Sequence, residues 1–502
     1  MEKLICIYDN HFLPNIFIKN IVGDKTFGEI ILKRKTVKDK FNNFIKKENI
    51  FDEVLYLDYE WQLNALLEKL KRYDANTRVL HIFSNFLILN EEFVQVIMKK
   101  LKYIEEDYVY VFNKNNLIEN IEEKPILFMK KTLLEYCSFI KNYESTLNIL
   151  DVYTIKNSYI NFKKIEIDSG IFFDISLYNQ FLKYISGGFD TRFFNSVKGD
   201  NYIVTKKSKN KQKIKSEYKY YYLLPEGMRK WFVMPYNYNE YSEFASYEME
   251  RYHVTDLAIR WVHGAITLEE FTLLLERVFY FITHREIKKI EDNEYEKVQK
   301  ELYIIKVKNR IADLKSNEFY KKFESFIKEG TKYKGIDDII NKYLNLYEAI
   351  VNKNNERILV IGHGDLCFSN MLYNKELNLL KLIDPKGALE EKALWTDTYY
   401  DIAKLSHSIC GRYDFFNNNL YHIILGEDLK LKLEIDFDNS KFIEVFKIYL
   451  KKYNFDFNTV RLYEVSLFLS MLPLHMDNPH KVFGFILNAI QIMEDLERCL
   501  KN

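Results

Sequence analysis

The stretch Val360–Gly387 constrains this chain more than any other, because it sets an order of elements and three oxygen-bearing side chains along them. It reads Val360-Ile-Gly-His363-Gly-Asp365-Leu-Cys-Phe-Ser-Asn370 and runs on to Ile383-Asp384-Pro-Lys386-Gly387. An apolar run, Ile358 to Ile361, delivers the chain to His363, and a turn at Asn374-Lys-Glu separates two short apolar strands, the second ending at Asp384. Asp365, Asn370 and Asp384 are thereby placed where one small site can gather them.

Phosphoryl transfer from a nucleotide asks for little covalent chemistry. It needs a carboxylate to orient an acceptor hydroxyl and take its proton, and hard oxygen ligands to hold magnesium on the phosphates. In the pattern H-R-D-L-x-x-x-N the Asp is the base and the Asn a metal ligand, followed by a separate metal-binding Asp. Here His363-Gly-Asp365-Leu-x-x-x-Asn370 precedes Asp384 in that order and spacing. The competing reading makes His363 a core histidine and the two carboxylates turn or cap residues.

The motif resembles that of the aminoglycoside phosphotransferase and choline kinase group of small-molecule kinases, which carry H-G-D-x-x-x-x-N followed by a short Ile-Asp segment. Ile383-Asp-Pro-Lys-Gly387 and Asp397-Thr-Tyr-Tyr-Asp401-Ile-Ala-Lys404-Leu-Ser-His407-Ser resemble segments of phosphotransferase modules from bacterial capsule and surface-glycan gene clusters. The resemblance spans about 300 residues of the second half. It implies Asp365 as catalytic base, Asn370 and Asp384 on Mg2+, ATP as co-substrate, and Asp401 bracing the loop that begins at His363. Asp397 either braces the same loop or caps the following helix.

Composition narrows the partners. In 502 residues, 73 Lys and Arg balance 72 Asp and Glu, so no global field recruits nucleic acid or an anionic membrane. Five scattered cysteines without a C-x-x-C pair read as free thiols. The first ten residues turn polar too soon for a secretory signal, and no window of roughly 18 uninterrupted apolar residues predicts a membrane span. A cytoplasmic protein is expected.

Up to about Tyr184, apolar runs alternate with amphipathic segments: Leu4–Tyr8, Val54–Leu57, Val79–Phe83, Tyr108–Phe112 and Gly170–Phe173 as strands, Trp61–Arg72 and Glu92–Ile104 as helices. This predicts a mainly parallel α/β domain, Rossmann-like or glycosyltransferase-A-like, over residues 1–186. It loosely resembles nucleotide-sugar nucleotidyltransferases, with Ile167-Asp-Ser-Gly-Ile-Phe-Phe for their Asn-Thr-Gly-Ile-Tyr strand. The Gly-rich phosphate loop is missing, since Tyr8-Asp-Asn-His-Phe-Leu-Pro stands there, and His81-Ile-Phe-Ser84-Asn85 replaces the usual acidic metal ligand. The domain therefore reads as degenerate and non-catalytic, with an active, bifunctional transferase as the alternative.

Gly187-Gly188 marks a boundary. Residues 187–265 read as a kinase-like N-lobe and hinge, and 266–502 as a mostly helical C-lobe, giving an α+β bilobal kinase-like fold. Arg192–Val197 and Tyr202–Lys206 are expected strands joined by Lys198-Gly-Asp-Asn201, with Lys206 ending the second. Lys206 on the phosphates and Glu217 in the helix Lys211–Leu224 make the expected pair; Lys207, on the opposite face, stays as the alternative. Trp231–Pro235 and Phe244–Glu250 follow as strands, and by resemblance the backbone of Met249, Glu250 and Arg251 reads the adenine edge. Phe271, Leu274, Leu275, Val278 and Ile282 form a helical core stripe. The charged run Glu286–Lys308 reads as solvated helix or a substrate-side insertion. His475 and Asp477, in a segment broken by Pro473 and Pro479, either line an acceptor pocket or sit in a turn between helices. The acceptor expected from the resemblance is a small sugar, polyol or amino alcohol; a non-catalytic pseudokinase scaffold is the reading from a different class.

Overall fold

A computed structural model describes residues 3–32, 34–48, 50–101, 103, 108–113, 127–130, 163–167, 171–186, 195–199, 202–351 and 356–501. The glycines Gly187 and Gly188, the segments Asp168–Gly170 and Arg192–Phe194, and the loop residues Asp200 and Asn201 lie outside these. The chain divides into two compact units, Met1–Gly188 and Phe189–Asn502.

The first unit is an α/β layer. Its sheet runs Glu53–Leu57, Leu4–Asp9, Arg78–Phe83, Leu127–Lys130, Tyr108–Asn113, Lys163–Ile167. Leu4–Asp9 is buried at every position, and the period of two explains how. Leu4, Cys6 and Tyr8 pack with Phe41, Phe44, Val94 and Met98, while Ile5 and Ile7 pack with Leu63, Leu66, Leu67 and Leu70. One strand thus cores both faces, each large side chain contributing roughly 1.5–3 kcal/mol. The sheet is mainly parallel, as expected, with one reversed strand: Leu4–Asp9 runs parallel to both neighbours and Tyr108–Asn113 to Lys163–Ile167, while Leu127–Lys130 runs antiparallel to Arg78–Phe83 and to Tyr108–Asn113. The strand expected at Gly170–Phe173 forms as Phe172–Asp174 and, among the described residues, pairs with Phe86–Ile88 in a separate two-stranded ribbon.

The second unit opens with a four-stranded antiparallel sheet ordered Asn195–Gly199, Ile203–Ser208, Ala245–Glu250, Pro235–Glu240. Lys206 lies inside its strand rather than at the end, because pairing with Ala245–Glu250 continues to Ser208. The predicted strand Trp231–Pro235 is displaced: the strand starts at Pro235, and Phe232 instead bridges to Leu382. The helix Lys211–Leu223 packs on this sheet through Ile214, against Ala245 and Tyr247.

The helical part surrounds Phe457–Met471, whose residues from Thr459 to Met471 are buried with the exception of Arg461. A helix apolar nearly all round belongs in a core, and its buried Glu464 is held through one carboxylate oxygen by Ser406 and Arg461. The stripe Phe271, Leu274, Leu275, Val278 and Ile282 is buried on Leu268–Thr283, which Thr267 caps by accepting the Glu270 N–H. Glu286–Lys308 is not a solvated helix. Ile287–Lys289 adds a strand to Ile358–Ile361, and the helix Asp292–Lys300 passes through a π-helical turn, Glu301–Ile305, that carries the fully buried Tyr303. Charges on one face hid the buried face opposite.

Candidate active site

Ile358–Ile361 is the middle strand of a three-stranded sheet, paired with Ile287–Lys289 and Trp395–Asp397, and it releases the chain into His363-Gly364-Asp365. Gly364 takes φ of +79°, a left-handed conformation that costs little without a Cβ. The loop is held from beneath by Asp401, whose carboxylate accepts the His363 N–H at 2.9 Å and the Gly364 N–H at 2.7 Å. Arg285 completes that support with a 2.9 Å ion pair to Asp401 in which both side chains are buried. His363 is fully buried; Nδ1 accepts the Asp365 N–H and Nε2 donates to the Ile383 carbonyl. Burial pushes its pKa down, so it serves as a neutral strut between the loop and the Asp384 strand.

Asp365 is partly exposed, with Oδ1 2.8 Å from Lys404 Nζ. Burial alone raises its pKa, but the Lys404 ammonium outweighs that and holds it at about 2. The Asn370 side-chain amide donates to the Asp365 carbonyl at 2.8 Å and to Oδ2 at 3.1 Å. This fixes the amide with its oxygen left over. The hairpin Met371–Asn374 and Leu379–Leu382 and the Ile383 N–H to Asn370 carbonyl bond bring Asp384 to the same end as Asn370. Asp384 is left-handed at φ +54°, and Oδ1 of its half-exposed carboxylate lies 2.8 Å from Lys206 Nζ.

Lys206 is buried between that carboxylate and Glu217 at 2.7 Å. Desolvation lowers its pKa, but the Asp384 and Glu217 charges overcome this and hold it above the usual lysine value. Lys207 points to the other face, its ammonium 3.4 Å over the Phe244 ring. Val233, Leu372 and Ile383, with Met249, Tyr252 and Val254, form an apolar cluster beside these charges. Met249 therefore enters the cluster through its side chain, and Glu250 ends its strand exposed. The Arg251 N–H is donated to the Tyr202 carbonyl, so the expectation that it reads a base edge does not hold for that donor.

Other expectations part from the structure. Asp397 accepts hydrogen bonds from the Tyr295 and Tyr303 hydroxyls and the Tyr399 N–H; none comes from the His363 loop. His475 ends a short 3-10 helix and packs edge-on to Phe485, and Asp477 is exposed in the turn before Pro479–Lys501. The two prolines mark a helix-to-helix turn, and His475 faces the same buried His407 that Asp365 and Lys404 act on. Arg285, Tyr220, Lys386 and Lys404 were not singled out by sequence. Only Lys386 and Lys404 carried a signal, lying inside the two quoted segments after Asp384.

The donor set fits a divalent cation completed by phosphate oxygens: a fixed amide oxygen at Asn370 and the second oxygen of Asp384. Among the described residues no three His, Cys, Asp or Glu side chains gather as a metal site by themselves. No helix among them is long and apolar enough to cross a membrane.

Residues 279–384 match the family model described as "Ecdysteroid kinase-like family". The match ends at Asp384 and contains the whole His363–Asp384 constellation. The second unit is thus kinase-like in fold, resembling the small-molecule phosphotransferases. Solved structures similar to the chain include aminoglycoside phosphotransferase APH(4)-Ia in a ternary complex with ADP and hygromycin B, at 10% identity over 63% of this chain and 97% of that one, TM-score 0.35. Another is the streptomycin-ATP-APH(2")-IIa ternary complex, at 14% identity over 60% and 90%, TM-score 0.35. A third is the bifunctional IspDF from Campylobacter jejuni, at 8% identity over 41% and 58%, TM-score 0.28. No curated protein matches the chain.

The first unit holds a cluster of its own at the end of Leu4–Asp9. Asp9 is buried between His11 at 2.5 Å and His81 at 2.7 Å. Burial raises its pKa, but the two imidazoles bring it down to about 2 from 3.8. With the folded value below the unfolded one, the stabilisation is present above about pH 4 and is lost as pH falls toward 2, worth about 2 kcal/mol by linkage. Calorimetry is expected to show the wild-type transition of this unit falling through that window. In Asp9→Asn the transition starts lower at neutral pH and shows less acid dependence.

Proposed function

We propose that the second unit transfers the γ-phosphoryl group of ATP to a hydroxyl of a small molecule, with residues 187–265 as its nucleotide lobe and 266–502 as its acceptor lobe. The observation that carries this is the joined set Asp365–Asn370 and Lys206–Asp384–Glu217, which supplies a base, two metal-facing oxygens and a phosphate-binding ammonium in one place. Asp365 orients the acceptor hydroxyl and takes its proton as the oxygen attacks the γ-phosphorus, and the bond to the departing ADP breaks. Lys404 keeps that carboxylate ionised and aimed. Lys206 holds the α and β phosphates, and the adenine lies in the apolar cluster of Val233, Leu372 and Ile383. Mg2+, held by Asn370 and Asp384, would neutralise charge on the transferring phosphates.

The likeness to capsule-cluster phosphotransferases supports a sugar, polyol or amino alcohol of a surface glycan as acceptor. The first unit, without a Gly-rich loop after Leu4–Asp9, is read as a non-catalytic relative of nucleotidyltransferases. Thermal stability with and without Mg·ATP tests the nucleotide site. At about 100 times the dissociation constant the ligand stabilises by roughly 2.7 kcal/mol, and the rise is expected to vanish in Asp384→Ala. No rise in the wild type would remove the kinase reading.

A further inference from the structure

Three lysines reach Asp365 and its immediate neighbours Gly364 and Tyr400 from three separate elements. Lys404 lies on the helix Tyr400–Ile409, its Nζ on Asp365. Tyr400, four residues earlier and so on the same face, accepts a 2.7 Å hydrogen bond from Lys306, the first residue of Lys306–Lys315 after the π-helical turn. Lys386 comes from the loop after Asp384 and packs along Gly364, where a Cβ would meet its Cδ at 2.5 Å. The Lys386 side chain is exposed, and no salt bridge engages it among the described residues.

The carboxylates around this group are already matched. Asp401 faces Arg285 and Asp384 faces Lys206, which leaves Asp365, with the buried Asp414 behind it, against the three lysines. The crowding is felt by its members. Burial raises the Tyr400 pKa, yet Lys306 and Lys404 bring it below its ordinary value. One turn beyond Lys404, His407 is fully buried with neither ring nitrogen hydrogen-bonded, a polar group that protein leaves unsatisfied close to Lys404 and Asp365.

A surplus of positive charge in a cleft concentrates anions and repels cations. The nucleotide phosphates have Lys206 on their own side, which leaves Lys306 and Lys386 for the other reactant. We propose that the acceptor carries an oxyanion, a phosphomonoester or a carboxylate, held by Lys306 and Lys386 beside Tyr400, and that amine-bearing acceptors are excluded. This rests on the kinase reading of the same site and narrows it to anionic sugars or polyols.

The test is calorimetric binding of inorganic phosphate, glycerol phosphate, glycerate, glycerol and aminopropanediol to the full chain saturated with Mg·AMP-PNP, which fills the nucleotide side. The anions are expected to bind at least about tenfold tighter than glycerol or aminopropanediol, and Lys306→Ala and Lys386→Ala each to weaken them about tenfold. AMP-PNP affinity in those variants should change by less than about twofold. Tighter glycerol phosphate than glycerate assigns a phosphomonoester, and the reverse a carboxylate. Preference for the neutral or amine probe, anion binding unchanged in both variants, or a parallel loss of AMP-PNP affinity would each overturn the proposal. If AMP-PNP does not bind at all, the kinase reading fails separately, and the anion series on nucleotide-free protein still decides the charge of the cleft.

Discussion

Asp365→Asn is expected to lower phosphate transfer by about three or more powers of ten while Mg·ATP still raises the melting temperature. The amide keeps the shape of the carboxylate but neither takes a proton nor balances Lys404, whose Nζ lies 2.8 Å away. Nucleotide contacts run through Lys206 and Asp384, which the substitution leaves in place. Retained nucleotide stabilisation with lost transfer separates a base from a structural residue. Unchanged transfer would remove Asp365 from the chemistry, and loss of both signals would mean that the loop had collapsed.

The largest stability effect is expected at Arg285, far from the reacting atoms in sequence. Arg285→Ala removes the partner of Asp401 where both side chains are buried, and breaking a buried pair from one side costs about 3–5 kcal/mol because the remaining charge has no solvent. Asp401 would still accept the His363 and Gly364 N–H groups, so the double variant Arg285→Ala with Asp401→Asn should recover part of the loss. Three of the four tryptophans, Trp231, Trp261 and Trp395, lie in the second unit. Urea unfolding in a Trp61→Phe background therefore reports that unit alone. An Arg285→Ala midpoint equal to the background would show that the pair contributes nothing.

The cluster of Asp365, Asn370 and Asp384 was legible because its members are close in sequence and are carried by one strand, one loop and one hairpin, each with its own apolar and turn pattern. The supports were not. Arg285 reaches Asp401, and Tyr295 and Tyr303 reach Asp397, across about a hundred residues. Periodicity reports which face of a helix is apolar, not what a polar residue on it meets. The run Glu286–Lys308 shows this well, for its buried Tyr295, Gln299 and Tyr303 are polar residues among charges. The one reversed strand of the first unit, Leu127–Lys130, escaped for another reason: strand direction is set by the connection between strands, and no short hairpin signal stands in front of it.

One contact bears on control. The helix that carries Glu217 is bonded twice to the acceptor lobe: the Tyr220 hydroxyl donates to the Gly362 carbonyl, and the Ala388 N–H donates to the Ser216 carbonyl. Gly387, at φ +84°, lies so close that a Cβ would meet Ser216 Oγ at 2.5 Å. In protein kinases the corresponding helix swings out to break the Lys–Glu pair, and activation restores it. Here such a swing would drag the Asp384 loop and the His363 strand with it. The Lys206–Glu217 pair is already formed in this fold, so on the kinase reading proposed above no swing of that helix is needed to assemble it.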